Sequence, residues 1–100
     1  MNFDDFLEFL NQKGFPQPSL VKHVGGKFLD LQSHPSELLA FVIEGQVDIT
    51  IDGHRGSYLA GDYFYIPANQ IHSKSFGGKG VSYAMSCRDE SEGVQVPPQT

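Results

Sequence analysis

The sequence is poor in the residue types that mark several large protein classes. It contains a single cysteine, Cys87, and no tryptophan. One cysteine excludes an internal disulfide and a cysteine-rich zinc site, and it is typical of a protein from a reducing compartment. The longest apolar run, residues 38–43, has six residues and is far too short to span a bilayer. We therefore expect no membrane partner.

Positive charge is also scarce. Seven Lys and Arg residues stand against twelve Asp and Glu residues, which gives a formal net charge of −5, and the basic residues are scattered along the chain. Such a chain has little attraction for a phosphate backbone, so we expect no nucleic-acid partner. The chain begins Met-Asn-Phe-Asp-Asp, without a basic residue or a long apolar run. This start predicts no signal peptide and a cytoplasmic location.

The 100 residues are enough for one domain with one hydrophobic core, which excludes a two-domain nucleotide-binding enzyme. Residues 3–13 are predicted to form a helix, because apolar side chains recur at a spacing that places them on one face. Asn2 is the expected N-cap, and Gly14 marks the end of the helix. Residues 1–18 are thus interpreted as a helix followed by a linker.

Short strands are predicted from residue 19 onward. Gly25-Gly26 and Asp52-Gly53 are both typical of two-residue hairpin turns, and residues 77–80 are predicted to form a glycine-rich loop. Eight or nine strands separated by turns indicate an antiparallel sandwich or barrel over residues 19–88. Residues 89–100 are polar and contain proline, so they are interpreted as a C-terminal tail.

One stretch of the sequence carries a recognisable motif. Gly61, Pro67 and His72 follow the spacing Gly, five residues, Pro, one residue, Gly, two residues, His, with Asn69 in place of the second glycine. Residues 42–46, Val-Ile-Glu-Gly-Gln, are similar to the end of a second motif. Together these stretches resemble the two motifs of the cupin family. The resemblance implies an all-β protein: an antiparallel jelly-roll barrel with one short N-terminal helix outside.

The resemblance also implies a ligand cavity inside the barrel, often with a metal bound there. The first cupin motif usually supplies two histidines and a glutamate, but the matching positions here hold Gln32, His34 and Leu38. Gln32 and His34 are two residues apart and would share one strand face, which Asp30 would extend, and His72 would converge on them. The candidate metal ligands are therefore His34, His72 and Gln32.

Glu37 is the nearest carboxylate that could complete this set. It lies one residue away from the motif position, so its side chain would point outward unless a bulge or the start of a strand turned it inward. With two imidazoles and one weak amide ligand, we expect Zn, Ni, Mn or Fe to bind weakly or not at all. The alternative is that His34 and His72 are interior histidines hydrogen-bonded to each other, to Gln32 or to water. His23 lies beside a turn and is expected to be solvated.

These features name no reaction. The first hypothesis is a small single-domain cupin that binds an unidentified small molecule, with or without a divalent metal. The alternatives are a metal-dependent oxygenase or isomerase, and a ligand sensor or accessory module that acts through a protein partner. Residues 38–43 are apolar on both faces of their strand. The N-terminal helix would cover part of the outer face, and this pattern predicts a homodimer that covers the rest.

Overall fold

The computed structural model describes residues 1–89, and within this range the chain forms one helix and six strands. In chain order these are α1 (Phe3–Lys13), β1 (Ser19–His23), β2 (Phe28–Gln32), β3 (Ser36–Ile51), β4 (His54–Leu59), β5 (Tyr63–Ile66) and β6 (His72–Asp89). All strand pairs are antiparallel, in the order β1-β6-β3-β4, with β2 also beside β6 and β5 also beside β3. The predicted fold class, mostly antiparallel β-structure with one short N-terminal helix, is confirmed.

Helix α1 begins and ends where its capping residues predict. The Asn2 side chain accepts a hydrogen bond from the Asp5 N–H, and the Asp5 carboxylate accepts one from the Asn2 N–H. Gly14 ends the helix with a φ of 79°, which a residue with a β-carbon adopts only at a cost. The apolar face of the helix packs on the outside of the sheet in one cluster: Phe6, Leu10, Phe15, Leu39, Phe41 and Ala84.

The Asp52-Gly53 hairpin is confirmed. Both residues have positive φ, 50° and 79°, as a type I′ turn requires. Ile51 and His54 are directly paired on either side of the turn, so the loop has two residues.

The strands are fewer and longer than predicted. The prediction of a hairpin at Gly25-Gly26 is wrong. Strands β1 and β2 do not pair with each other, because each pairs with a different stretch of β6. The two glycines bend the chain along β6, where the Gly26 N–H donates to the Gly77 carbonyl. The predicted loop at residues 77–80 lies within β6, so a bulged strand replaces a turn. Of the predicted tail at 89–100, only Asp89 falls within the described residues.

A shift in register keeps apolar side chains inside the barrel along both long strands. The pairing of β3 with β6 is irregular on both sides of Gly45. Buried interior positions are even-numbered up to Val42 and odd-numbered from Val47, and β6 changes in the same way between Phe76 and Val81. Because side chains alternate along a strand, an odd number of extra residues in each strand restores the apolar side to the interior. Across residues 1–89, no helix has the length and apolar character needed to cross a membrane.

Candidate functional site

The candidate site is a cavity of about 410 Å³ on the interior side of the sheet. Its apolar walls come from five side chains: Val21, Leu29, Pro35, Leu38 and Met85. Five larger polar side chains also line it: His23, Gln32, His34, Lys74 and Tyr83. Three strands, β1, β2 and β6, together with the start of β3, therefore supply the cavity wall.

Two predicted ligands, His34 and His72, are brought together here. Their ring centroids lie 5.6 Å apart, and Gln32 is paired directly with His72 across β2 and β6. The backbone N–H of Asn69 donates to the His34 carbonyl at 2.6 Å. Asn69 has a φ of 64°, a left-handed conformation that asparagine tolerates better than most residues. The turn that precedes His72 therefore also fixes the position of His34.

His72 is held in one tautomer. Its side chain is 1% exposed, and Nδ1 donates to the Gln70 carbonyl at 2.9 Å, so Nε2 carries the lone pair. Nε2 is buried and has no hydrogen-bond partner among residues 1–89. Burial lowers the pKa of His72, and the nearby Lys74 and His34 lower it further, against a smaller opposing effect of the Gln70 carbonyl. The imidazole is therefore neutral at pH 7 and offers an unused acceptor.

Glu37 does not join this group. It lies on the outer face of β3, where its carboxylate accepts hydrogen bonds from the Tyr65 hydroxyl at 2.7 Å and from Arg88 Nε at 3.0 Å. The Tyr65 hydrogen bond, followed by Arg88, holds the pKa of Glu37 below its usual value despite partial desolvation. Leu38, one residue along, occupies the interior position instead. No bulge turns Glu37 inward, so it serves as a link between strands and helix.

Asp30 is also directed away from the cavity, contrary to expectation. The pairing of β2 with β6 is irregular between Leu29 and Gln32, so these two residues line the cavity while Asp30 is exposed. Its carboxylate accepts a hydrogen bond from the Leu31 N–H at 2.7 Å. The bulge thus removes a carboxylate that regular alternation would have placed beside His34.

Lys74 is a cavity residue that sequence reasoning missed. It is 4% exposed, and its Nζ lies 6.0 Å from the centroid of the Phe64 ring and 5.8 Å from that of Tyr83. Burial lowers the pKa of Lys74 from its usual value, against a smaller opposing effect of Cys87. The available signal was its position two residues after His72, which places both side chains on one strand face.

His23 was expected to be solvated, and this expectation is wrong. Its ring stacks on that of Phe76 with centroids 4.3 Å apart, and Nε2 shares a hydrogen bond of 3.2 Å with the Tyr83 hydroxyl. Burial lowers the pKa of His23, and the charges of Lys27 and Lys74 add to this effect. Burial also raises the pKa of Tyr83 to about 12, so the phenol stays protonated at neutral pH.

These residues fit a tightly held divalent metal poorly. The free Nε2 of His72 and the adjacent His34 ring are suitable donors, but Gln32 is a weak third ligand and Leu38 supplies none. The ammonium of Lys74 adds a like charge close to where a dication would sit. Within residues 1–89, no group of three or more His, Cys, Asp or Glu side chains could hold a metal ion.

Comparisons with known proteins agree with the fold. The family model for the cupin domain matches residues 21–81. No curated protein matches the chain by sequence. A cupin superfamily protein from Desulfitobacterium hafniense is similar in structure, with a TM-score of 0.65 and 20% identity over 74% of this chain and 67% of that one.

Two further solved structures share the same architecture. EutQ from Clostridium difficile has a TM-score of 0.66 at 18% identity, covering 80% of this chain and 61% of its own. The DMSP lyase DddQ from Ruegeria pomeroyi has a TM-score of 0.65 at 18% identity, covering 80% of this chain but 40% of its own. Identities this low establish a common fold alone. Since the cupin-domain model matches more than half of the sequence and the structures agree, the chain belongs to the cupin family.

Proposed function

We propose that this protein binds a small organic molecule in the barrel cavity and holds a divalent metal weakly or not at all. The observation that carries the proposal is the cavity of about 410 Å³, in which apolar walls meet a few convergent polar groups. Small-molecule sites in proteins have this character and typically fall in a range of about 300–1,000 Å³. The lowered pKa values of Lys74 and His23, which both line the cavity, add support.

The donor set favours binding over metal-dependent catalysis. An oxygenase or isomerase of the kind considered from the sequence needs a metal with strong protein ligands and open positions. Here Leu38 stands where the cupin motif usually has a glutamate, and Glu37 is engaged by Arg88 on the other face. The site retains two imidazoles and an amide, which suit hydrogen bonding to an organic ligand.

A cavity-filling variant tests the proposal. Val21 lines the cavity, whereas its neighbour Leu20 is 73% exposed, so Val21→Phe fills the site and Leu20→Phe is a matched surface control. Methyl NMR spectra are recorded while a set of neutral, anionic and cationic fragments is added. We expect hits that shift the methyl signals of Leu29, Leu38 and Met85 in wild type and in Leu20→Phe, and that are lost in Val21→Phe. Hits that leave these signals unchanged, or no hits at all, would contradict the proposal.

We also propose a homodimer, but through a different surface from the outer face of β3. Helix α1 covers the outer face of β3 at Leu39 and Phe41, so the chain itself covers most of that face. Large apolar side chains are exposed elsewhere, on and beside β2: Phe28, Leu31 and Ile71. A second copy of the chain is the occupant that we propose for this surface. Light scattering at micromolar concentration should give twice the chain mass of 11.1 kDa, and a value of one chain mass would refute the dimer.

A further inference from the structure

The deepest charged group in the cavity is a lysine without a counter-ion. Lys74 is 4% exposed, and its ammonium takes part in neither of the ion pairs found within residues 1–89, Arg55–Asp48 and Arg88–Glu37. Its ammonium is stabilised by the faces of the Phe64 and Tyr83 rings. Lysine is almost never fully buried unless it is paired, because an ammonium loses its hydration on burial. The cavity therefore contains an unmet requirement for negative charge.

No carboxylate of the described chain meets this requirement. The cavity lining includes Lys74 and two histidines but no Asp or Glu, although the chain as a whole carries a net charge of −5. The two acidic residues of the described strands with low solvent exposure, Glu37 and Asp48, are engaged elsewhere. Glu37 is held by Arg88 on the outer face, and Asp48 pairs with Arg55 and accepts a hydrogen bond from Gln46. The positive character of the cavity is thus local and is left for a ligand.

The walls define what kind of anion fits. Val21, Leu29, Leu38 and Met85 form an apolar surface that an inorganic anion would leave without contact. A single ammonium matches a single negative charge, whereas a phosphate dianion would need further cationic donors. The Tyr83 hydroxyl is protonated and neutral. In the tautomer in which His23 Nε2–H donates to the Tyr83 oxygen, the Tyr83 O–H is available to donate to a second ligand oxygen without adding charge.

We propose that the cavity binds a small organic monocarboxylate, with the carboxylate at Lys74 Nζ and the hydrocarbon part against the apolar wall. This inference rests on the proposed function, since it names the ligand class for the same cavity. It also accounts for the poor fit to a metal, because the ammonium that attracts a carboxylate repels a dication.

The test uses pairs of probes with the same shape and different charge. Benzoate and benzamide, and hexanoate and hexanamide, are titrated into wild type by calorimetry, and methyl NMR locates each bound probe. We expect each carboxylate to bind in the cavity at least about tenfold more tightly than its amide, the size expected for a charge-assisted hydrogen bond. Lys74→Met should lose this preference. Lys79→Met, which removes an exposed lysine outside the cavity, should keep it.

The outcomes separate this inference from the proposed function. Amides that bind in the cavity as tightly as the carboxylates would overturn the carboxylate class and leave small-molecule binding intact. A preference that persists in Lys74→Met would overturn the role of Lys74 in the same way. Failure of all four probes to bind in the cavity of wild type would overturn the ligand class, and the fragment set above would then decide the proposed function. The wild-type comparison needs no variant, so it stands even where Lys74→Met unfolds.

Discussion

Replacing Gly45 by alanine tests the close approach of β3 to β6 at the point where their pairing is irregular. Gly45 has a φ of +85°, and a β-carbon built there would lie 2.9 Å from Val81 Cα, 3.0 Å from the carbonyl carbon of Gly80 and closer still to its oxygen. Real β-carbons essentially never approach backbone atoms so closely, and backbone cannot rotate away as a side chain can. The strands would have to separate at the point where their register shifts.

The expected destabilisation has three parts. The positive φ alone costs an alanine about 1 kcal/mol or more. Relief of the clash adds roughly 1–3 kcal/mol, as for other overpacked sites, and weakened hydrogen bonds between the strands add about 1 kcal/mol. Gly45→Ala should therefore destabilise the fold by roughly 3–5 kcal/mol, which is a large part of the ~5–15 kcal/mol total of a typical domain.

Gly53→Ala is the matched control. Gly53 has a similar φ of +79°, but no atom lies within 4 Å of a β-carbon built there. Tm is measured by thermal unfolding followed by circular dichroism. We expect Gly53→Ala to lower Tm by about 4–8 °C and Gly45→Ala to lower it by roughly 12 °C or more. Equal decreases in Tm for the two variants would refute the close approach of β3 to β6.

Three further predictions address the core, the outer ion pair and the metal question. Phe6→Ala should lower the free energy of unfolding, measured with urea, by about 3–5 kcal/mol, because Phe6 is fully buried. Phe3 is partly exposed, so Phe3→Ala should lower the free energy of unfolding clearly less. Equal losses would contradict the packing of α1. Glu37→Gln should lower stability by about 1 kcal/mol at pH 7. Because the folded pKa of Glu37 is lowered, this contribution is present above its ordinary value of 4.5 and is lost as pH falls through the folded pKa, so unfolding curves of the two proteins should converge in acid. Calorimetric Zn²⁺ titration should show weak binding that Gln32→His strengthens and His72→Ala abolishes; tight binding that survives His72→Ala would place the metal elsewhere.

Local features of the fold could be predicted because their causes are local. The capping box at Asn2, the left-handed glycine after α1 and the Asp52-Gly53 turn each depend on a few adjacent residues, and each is present. The prediction of a Gly25-Gly26 hairpin was wrong because pairing with β6, which lies about 50 residues later in the chain, determines whether the chain reverses or only bends here. Gly-Gly is compatible with both, so the local sequence does not decide between them.

The site residues that belong to a sequence motif could be predicted, whereas those that depend on long-range packing could not. The resemblance placed Gln32, His34 and His72 in one region, and the structure brings them together. The bulge in β2 and the burial of Lys74 arise from pairing across β2, β3 and β6, which no local pattern encodes. His23 was missed for the same reason, since its partners lie on β6.

Carboxylate binding at Lys74 can be seen directly in a crystal structure of the untagged protein grown with benzoate and without added metal. We expect benzoate in the barrel cavity, with a carboxylate oxygen about 2.7–2.9 Å from Lys74 Nζ and the ring against Leu29 and Leu38. An empty cavity with benzoate only on the surface, or a fully occupied metal ion between His34 and His72, would contradict this expectation.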